Sequence, residues 1–308
     1  MGRPDPPYHT PVLAATVVAL LQPPAGGVVV DATFGGGGHS RELLAAHPSL
    51  RLIGIDRDPD AAAEAARLGD RLRFVLGDFR YFGDLVRGVG CDEIDGAIFD
   101  LGVSSHQLDV GDRGFSFHRR GPLDMRLGPD SPLTAGDVVN GWDESRLASV
   151  IRRYGEERHA GRIAAAIVAA RPLGDTRELA DVVGSAVPAR DRRRAHPARR
   201  TFQAIRIAVN DELGALRDGL DAALSVLRPG GRLAVISYHS LEDRIVKRRF
   251  AAGAAGCVCP PDLPICGCGR TAELRLLTRH PVVPGEVEVA ANSRARSARL
   301  RAVEKVGR

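Results

Sequence analysis

Val28-Val-Val-Asp-Ala-Thr-Phe-Gly-Gly-Gly-Gly-His-Ser40 is the stretch that decides the fold. An apolar run ends in Asp31, four consecutive glycines follow at Gly35 to Gly38, and Arg41-Glu-Leu-Leu-Ala-Ala46 then carries a helical pattern. Glycine reaches positive φ and lets a backbone approach a ligand closely. The N-terminus of the following helix offers N–H groups with no intrahelical partner. The segment therefore predicts the first strand and turn of an α/β sheet, with a nucleotide-like ligand at the strand's carboxyl end.

The neighbouring residues narrow the ligand. The dinucleotide fingerprint G-x-G-x-x-G fails, because the sixth position is Ser40 counted from Gly35 and Arg41 counted from Gly36. No Gly-Lys-Ser/Thr follows the loop, which excludes a P-loop. Leu50-Arg-Leu-Ile-Gly-Ile-Asp56 reads as a second strand ending in an acid, placed to accept hydrogen bonds from ribose hydroxyls. Leu72 to Asp78, followed by Phe79, reads as a third unit, and Ile94-Asp-Gly-Ala-Ile-Phe-Asp100 as a fourth strand. Acids at successive strand ends, without a phosphate-binding lysine, suit a cationic adenosine ligand better than a pyrophosphate. S-adenosylmethionine has the required ribose, adenine, ammonium and sulfonium.

Composition bounds the class. The 308 residues are 44% hydrophobic and 26% charged, the balance of an ordinary globular protein. A net charge of +5 and a pI near 9.2 favour a polyanionic partner. No apolar run is long enough to span a bilayer, and the first residues do not read as a secretory signal; a cytoplasmic protein is expected. Of five cysteines, Cys91 stands alone and reads as a small buried hydrophobe. The others form two Cys-x-Cys pairs, Cys257 with Cys259 and Cys266 with Cys268. These could supply four thiolates to one zinc, but structural sites more often use Cys-x-x-Cys. The spacing alone assigns no metal.

Four strand-helix units finish near Gly102, and the texture then changes. Residues 105–132 are irregular and glycine-rich, with Phe115, Phe117 and Met125 arguing for order against something. Residues 134–187 carry helical periodicity, with Leu147, Ile151, Ile163, Ile167, Leu179 and Val183 on apolar faces. One long helix is expected over 202–227, a fifth strand over 231–239, and two last strands over 272–278 and 298–304. The reading is a discontinuous ligand-binding domain, 1–105 with 205–308, around an inserted, mainly helical domain, 106–204. Arg190-Asp-Arg-Arg-Arg-Ala-His-Pro-Ala-Arg-Arg200 holds six arginines against one acid, a run able to neutralise several phosphates. Next to it, Phe202 adds to the case for a nucleic acid. The arginine-bearing tail from Asn292 is compatible with an edge strand and a solvated terminus.

Several stretches together resemble the RsmH (MraW) family of ribosomal RNA methyltransferases. They are Tyr8-His-Thr-Pro-Val-Leu, the Asp31 to Ser40 loop, Gly54-Ile-Asp-Arg-Asp-Pro, Phe99-Asp-Leu-Gly-Val-Ser-Ser, Gln107-Leu-Asp, Arg113-Gly-Phe-Ser-Phe and Gly121-Pro-Leu-Asp-Met-Arg. Tyr154-Gly-Glu-Glu-Arg, His196-Pro-Ala-Arg-Arg-Thr-Phe-Gln, Ser237-Tyr-His-Ser-Leu-Glu-Asp and Asn292-Ser-Arg-Ala-Arg-Ser complete the set. The resemblance implies a seven-stranded, Rossmann-like S-adenosylmethionine-dependent methyltransferase sheet with an inserted helical domain. It implies methylation of the exocyclic N4 of a cytosine in the decoding centre of bacterial 16S rRNA, within a 30S subunit or its precursor. It places Gly37, Gly38 and His39 along the methionine side of the cofactor, Asp56 on the ribose and Phe79 by the adenine, with Asp100 and Gln107 completing the pocket. The cysteine-rich loop is not common to the family, so the resemblance carries no metal.

Amino-methyltransferases often place Asp/Asn-Pro-Pro-Tyr after the fourth strand, where this chain has Asp100-Leu-Gly-Val-Ser-Ser105. Asp100 is the first candidate for orienting the amine or the cofactor; Ser104, Ser105 and His239 are weaker ones. The alternatives are a methyltransferase of another RNA and a non-catalytic RNA-binding assembly factor on the same fold.

Overall fold

A computed structural model describes residues 11–102, 113–129, 131–192, 197–257, 259, 267–269 and 271–307. The chain divides into two compact units, Met1–Gly102 with Leu213–Arg308, and Val103–Glu212.

The first unit is built on a seven-stranded sheet: β1 (Val28–Asp31), β2 (Arg51–Asp56), β3 (Leu72–Leu76), β4 (Ile94–Asp100), β5 (Leu227–Ser237), β6 (Leu274–Leu276) and β7 (Arg299–Lys305). Their order across the sheet is β3-β2-β1-β4-β5-β7-β6. β1 to β5 pair in parallel, and β7 runs antiparallel to both β5 and β6. The order reverses between β1 and β4, and the crevice at such a switch point, outside the carboxyl ends of the strands, is where open α/β sheets bind ligands.

Period-two alternation of the strands builds two apolar layers. Val29, Ile98, Ala234, Ile236 and Leu300 face one side, with Val17 and Leu21 of α1 (Ala14–Leu21) and Leu43 of α2 (Gly38–Ala46). Val30, Ala97, Phe99, Leu233, Val235 and Val303 face the other, with Phe82 and Val86 of a helix at Phe82–Gly88 and with Leu216 and Leu220. Both layers are buried, as expected for a parallel sheet covered by helices on each face.

The second unit has its own core, in which Leu147 and Ile151 of a helix at Glu144–Gly155 meet Ile163, Ile167, Leu179, Val183 and Phe202. A buried amide is one of the groups that hold the described part of the irregular stretch before it, 113–129. Asn210 accepts from the Leu127 N–H at 2.8 Å and donates to the Met125 carbonyl at 2.8 Å. Phe115 and Met125 are thereby buried in this core.

Four expectations change. The single helix expected over 202–227 is two, Ala198–Asn210 and Glu212–Val226, broken at Asp211 with φ 45°. The first buries Phe202, Ile205 and Val209 in the second unit's core, so the chain returns to the first unit at Leu213 and not at 205. Phe202 is 4% exposed and packs edge-on to Phe117, so it serves this core and offers no ring to a base. The tail forms no edge strand, because β7 lies inside the sheet between β5 and β6.

β7 explains a buried charge. Arg301 donates from Nε to Asp243 Oδ1 at 2.6 Å and from Nη2 to Oδ2 at 3.2 Å. Asp243 lies in the first turn of the helix Ser240–Ala254, so the pair ties that helix to the sheet. Burial by itself would raise the Asp243 carboxyl, but the hydrogen bonds and charge of Arg301, with Arg299, hold it below its ordinary value. Arg301→Met should destabilise the protein by about 3–5 kcal/mol near neutral pH, because Asp243 keeps a buried charge without its main partner. A lowered carboxyl contributes stability above its unfolded value and loses it as pH falls through the folded one. The gap between wild type and variant in urea unfolding should therefore shrink below about pH 4; a gap independent of pH would remove the ion pair as its cause.

Candidate active site

The glycine loop connects β1 to α2 and takes the form that only glycine takes easily. Gly35 and Gly37 have φ of 49° and 67°. A Cβ on Gly37 would meet the Phe34 ring at 2.7 Å, and one on Gly38 would meet Pro11 at 3.1 Å. Phe34 in turn occupies space left by Gly54 of β2, where a Cβ would lie 2.7 Å from its ring. Gly37 is the N-cap of α2 and has no side chain to cap it, so the first N–H groups of α2 face the crevice edge without a side-chain acceptor.

Two carboxylates end the strands on either side of the switch point. Asp31 of β1 is buried; it accepts from Ser40 Oγ at 2.8 Å and from the Thr33 N–H at 3.3 Å. Burial raises its pKa, with His39 and these hydrogen bonds opposing. Asp100 of β4 is held at three points. Its amide donates to Thr33 Oγ1 at 2.6 Å, and its Oδ1 accepts from the Tyr238 hydroxyl at 2.8 Å. Its Oδ2 lies 3.3 Å from His39 Nε2.

His39 is the second residue of α2 and is 5% exposed. Neither ring nitrogen has a well-formed hydrogen bond among the described residues. Burial opposes a charged ring, yet the carboxylates of Asp100 and Asp31 raise its pKa above the ordinary value. Tyr238 follows β5, and burial first, then Asp100, raises its phenol pKa well above the usual value. The phenol thus remains a proton donor to Asp100. Asp31, His39, Asp100 and Tyr238 form one contiguous polar cluster at the carboxyl edge of the sheet.

Asp56 ends β2 as expected, but its carboxylate already has work within the chain. Oδ2 accepts from the Gly35 N–H at 2.6 Å and Oδ1 from the Asp58 N–H at 2.9 Å. Burial raises its pKa to about 6 against these hydrogen bonds. Each oxygen keeps acceptor capacity, so Asp56 can shape the glycine loop and still receive a hydroxyl. Phe79 sits in a short turn after β3, edge-on to Phe99 with centroids 5.5 Å apart.

The structure brings Gly37, Gly38, His39 and Asp100 together around the end of β1. Gln107, Ser104 and Ser105 lie outside the described residues. His239 turns away from this work: it N-caps the helix Ser240–Ala254 in a capping box with Glu242. Its neighbour Tyr238 is the residue that reaches Asp100, and sequence reasoning missed it because the partners are 138 positions apart. Cys91 is half-buried and packs against the apolar core of the sheet unit, and its thiol donates to the Glu93 carbonyl at 3.1 Å.

The basic run is partly described. Asp191, its one acid, is engaged by Arg158 and His159. Arg190, Arg199 and Arg200 are exposed. Residues 193–196 and the side chain of Arg192 lie outside the described set. No helix among the described residues is long and apolar enough to cross a membrane.

These features agree with known proteins along nearly the whole chain. Ribosomal RNA small subunit methyltransferase H of Geobacter sulfurreducens is 54% identical over 308 residues, covering 97% of this chain and 99% of its own. The protein of the same name from Symbiobacterium thermophilum is 53% identical and is matched over 97% of both chains. The profile of the MraW methylase family matches residues 7–306. With its glycine loop, reversed strand order and acids at the strand ends, the chain belongs to the MraW methylase family.

Proposed function

We propose that Asp100 orients the exocyclic amine of a cytosine in the decoding centre of 16S rRNA for methylation at N4, beside S-adenosylmethionine held along the glycine loop. The chain is an S-adenosylmethionine-dependent small-subunit rRNA methyltransferase by its family. The observation that carries the finer reading is the three-point hold on Asp100 at the carboxyl end of β4.

The residues present fit the cofactor. The buried Nδ1 of His39 has no hydrogen-bond partner among the described residues, and the uncapped start of α2 suits a carboxylate. Gly37, Gly38 and His39 would hold the methionine end, Asp56 the ribose and Phe79 the adenine; Gln107 keeps its place on sequence grounds. When bound, S-adenosylmethionine supplies a sulfonium methyl that is already electrophilic. The chain's task is then to present a weakly nucleophilic amine in line at near-attack distance. Tyr238 at Oδ1 and His39 beside Oδ2 hold the orientation of the Asp100 carboxylate, whose remaining acceptor sites can take a hydrogen from the amine. Such an acceptor stabilises the charge that develops on nitrogen. The target base must be unstacked to reach this edge. The exposed arginines of the 190–200 run would hold the surrounding phosphates, in a 30S particle or its precursor.

Asp56→Ala should weaken cofactor binding by about 1–3 kcal/mol, read by calorimetry. In wild type a carboxylate with pKa about 6 accepts best when ionised, so affinity should fall as pH drops through about 6. That dependence should be absent in the variant, and unchanged affinity there would remove Asp56 from the site.

Tyr238→Phe should lower kcat on the order of 10- to 100-fold with little change in KM for rRNA, because the loss falls on orientation. Asp100→Ala should cost more and also leave RNA binding intact. The product is read by mass spectrometry of digested rRNA as N4-methylcytosine. Methyl on carbon 5 or on ribose would overturn the chemistry.

Replacing Arg192, Arg193 and Arg194 together with alanine should weaken RNA binding and leave cofactor affinity unchanged. The logarithmic salt dependence should flatten by about 0.7–0.9 in slope for every phosphate that the variant no longer neutralises. An unaltered slope would make the run a solvated surface only.

A further inference from the structure

The cysteine-rich stretch between the helix Ser240–Ala254 and β6 plays no part in the reaction described above. Its base is closed by the fold. The Glu273 N–H donates to the Gly253 carbonyl at 2.8 Å, and a Cβ on Gly253 would lie 2.4 Å from Leu274. Between these anchors, among the described residues, no regular element forms.

Three thiols converge there. The sulfurs of Cys257, Cys259 and Cys268 all lie within 4.8 Å of one another. Cys257 Sγ and Cys268 Sγ are 3.7 Å apart. Two thiolates bound to one tetrahedral zinc at about 2.3 Å stand about 3.8 Å apart, whereas a disulfide requires about 2.05 Å. The Cys259 N–H donates to Cys257 Sγ at 3.4 Å, and a backbone N–H at Gly267 serves Cys259. Amide donors of this kind stabilise thiolate charge. The remaining thiol of the two Cys-x-Cys pairs, Cys266, lies outside the described residues; its spacing to Cys268 repeats that of Cys257 to Cys259.

We propose that Cys257, Cys259 and Cys268 bind one Zn²⁺ as a structural site that fastens this loop to the sheet unit. A ligand set of thiolates without histidine or carboxylate is the chemistry of structural zinc, whose tetrahedron takes a fourth ligand beside these three. The location agrees. The helix starts beside Tyr238 and runs 15 residues to Ala254, which puts its far end about 22 Å from the reaction edge. The metal therefore acts on the loop's order and takes no part in methyl transfer. Convergence of the three sulfurs is what the Cys-x-Cys spacing by itself could not provide.

The test uses the full chain, expressed with zinc and purified under reductant without chelator. Elemental mass spectrometry should find one zinc per chain. Cys259→Ser and Cys268→Ser should each lose it, whereas Cys91→Ser should keep it. Cofactor affinity should persist in the two zinc-free variants. Should either variant fail to fold, cobalt substitution of the wild type decides: thiolate charge-transfer bands and the intense visible bands of tetrahedral cobalt support the site. Metal-free protein with all thiols reactive overturns it, and so does a Cys257–Cys268 disulfide in a non-reduced peptide map.

Discussion

The hydrogen bond from the Asp100 amide to the Thr33 hydroxyl, 2.6 Å long, joins the ends of β1 and β4 where the strand order reverses. At this point the two strands diverge into separate loops, and an α/β sheet opens a crevice. A side-chain acceptor just past the end of β1 takes the amide of β4. Asp100 Oδ2 lies 3.3 Å from His39 Nε2, and the charges of Asp100 and Asp31 both act on that imidazole. The glycine loop is bounded on its other side by the Asp56 carboxylate, which accepts the Gly35 amide. The crevice floor thus has backbone groups satisfied by the acids of two adjacent strands, Asp31 and Asp56, and by the Thr33 hydroxyl.

This arrangement concentrates negative charge in a buried place, and its consequences follow from desolvation. The acids Asp31 and Asp56 are raised by burial, while His39, set between Asp31 and Asp100, is raised by them despite burial. A cationic ligand entering this edge relieves the repulsion among the acids. An anionic pyrophosphate would add to it. In the proposed function, the same electrostatics favour a sulfonium and an ammonium over a dinucleotide.

The two units divide the labour of stability. The sheet unit spends its apolar residues on two faces of one sheet and uses the Asp243–Arg301 pair to lock a helix across β7. The helical unit ties its irregular segment 113–129 down with side-chain bonds, among them those of the buried Asn210 amide and the Thr176 hydroxyl. Each device satisfies polar groups that would otherwise be buried without partners, at about 1–3 kcal/mol for the neutral amide and about 3–5 kcal/mol for the charged pair.

The sequence by itself determined the sheet, the glycine loop and the acids at the strand ends, because these are local. Alternating apolar runs, φ values open only to glycine, and an acid at the end of a run are all read from a few neighbouring residues. The inserted helices were legible for the same reason, through their apolar spacing. Tertiary structure alone decided which acid does what. Tyr238 and not His239 reaches Asp100, Asp56 holds Gly35, Phe202 enters a core, and Arg301 is buried against Asp243. It also decided that the tail strand lies inside the sheet and that three cysteine sulfurs meet. Each of these joins residues distant in sequence, and a side chain's partner across such a distance is set by packing and strand order, which no local periodicity encodes.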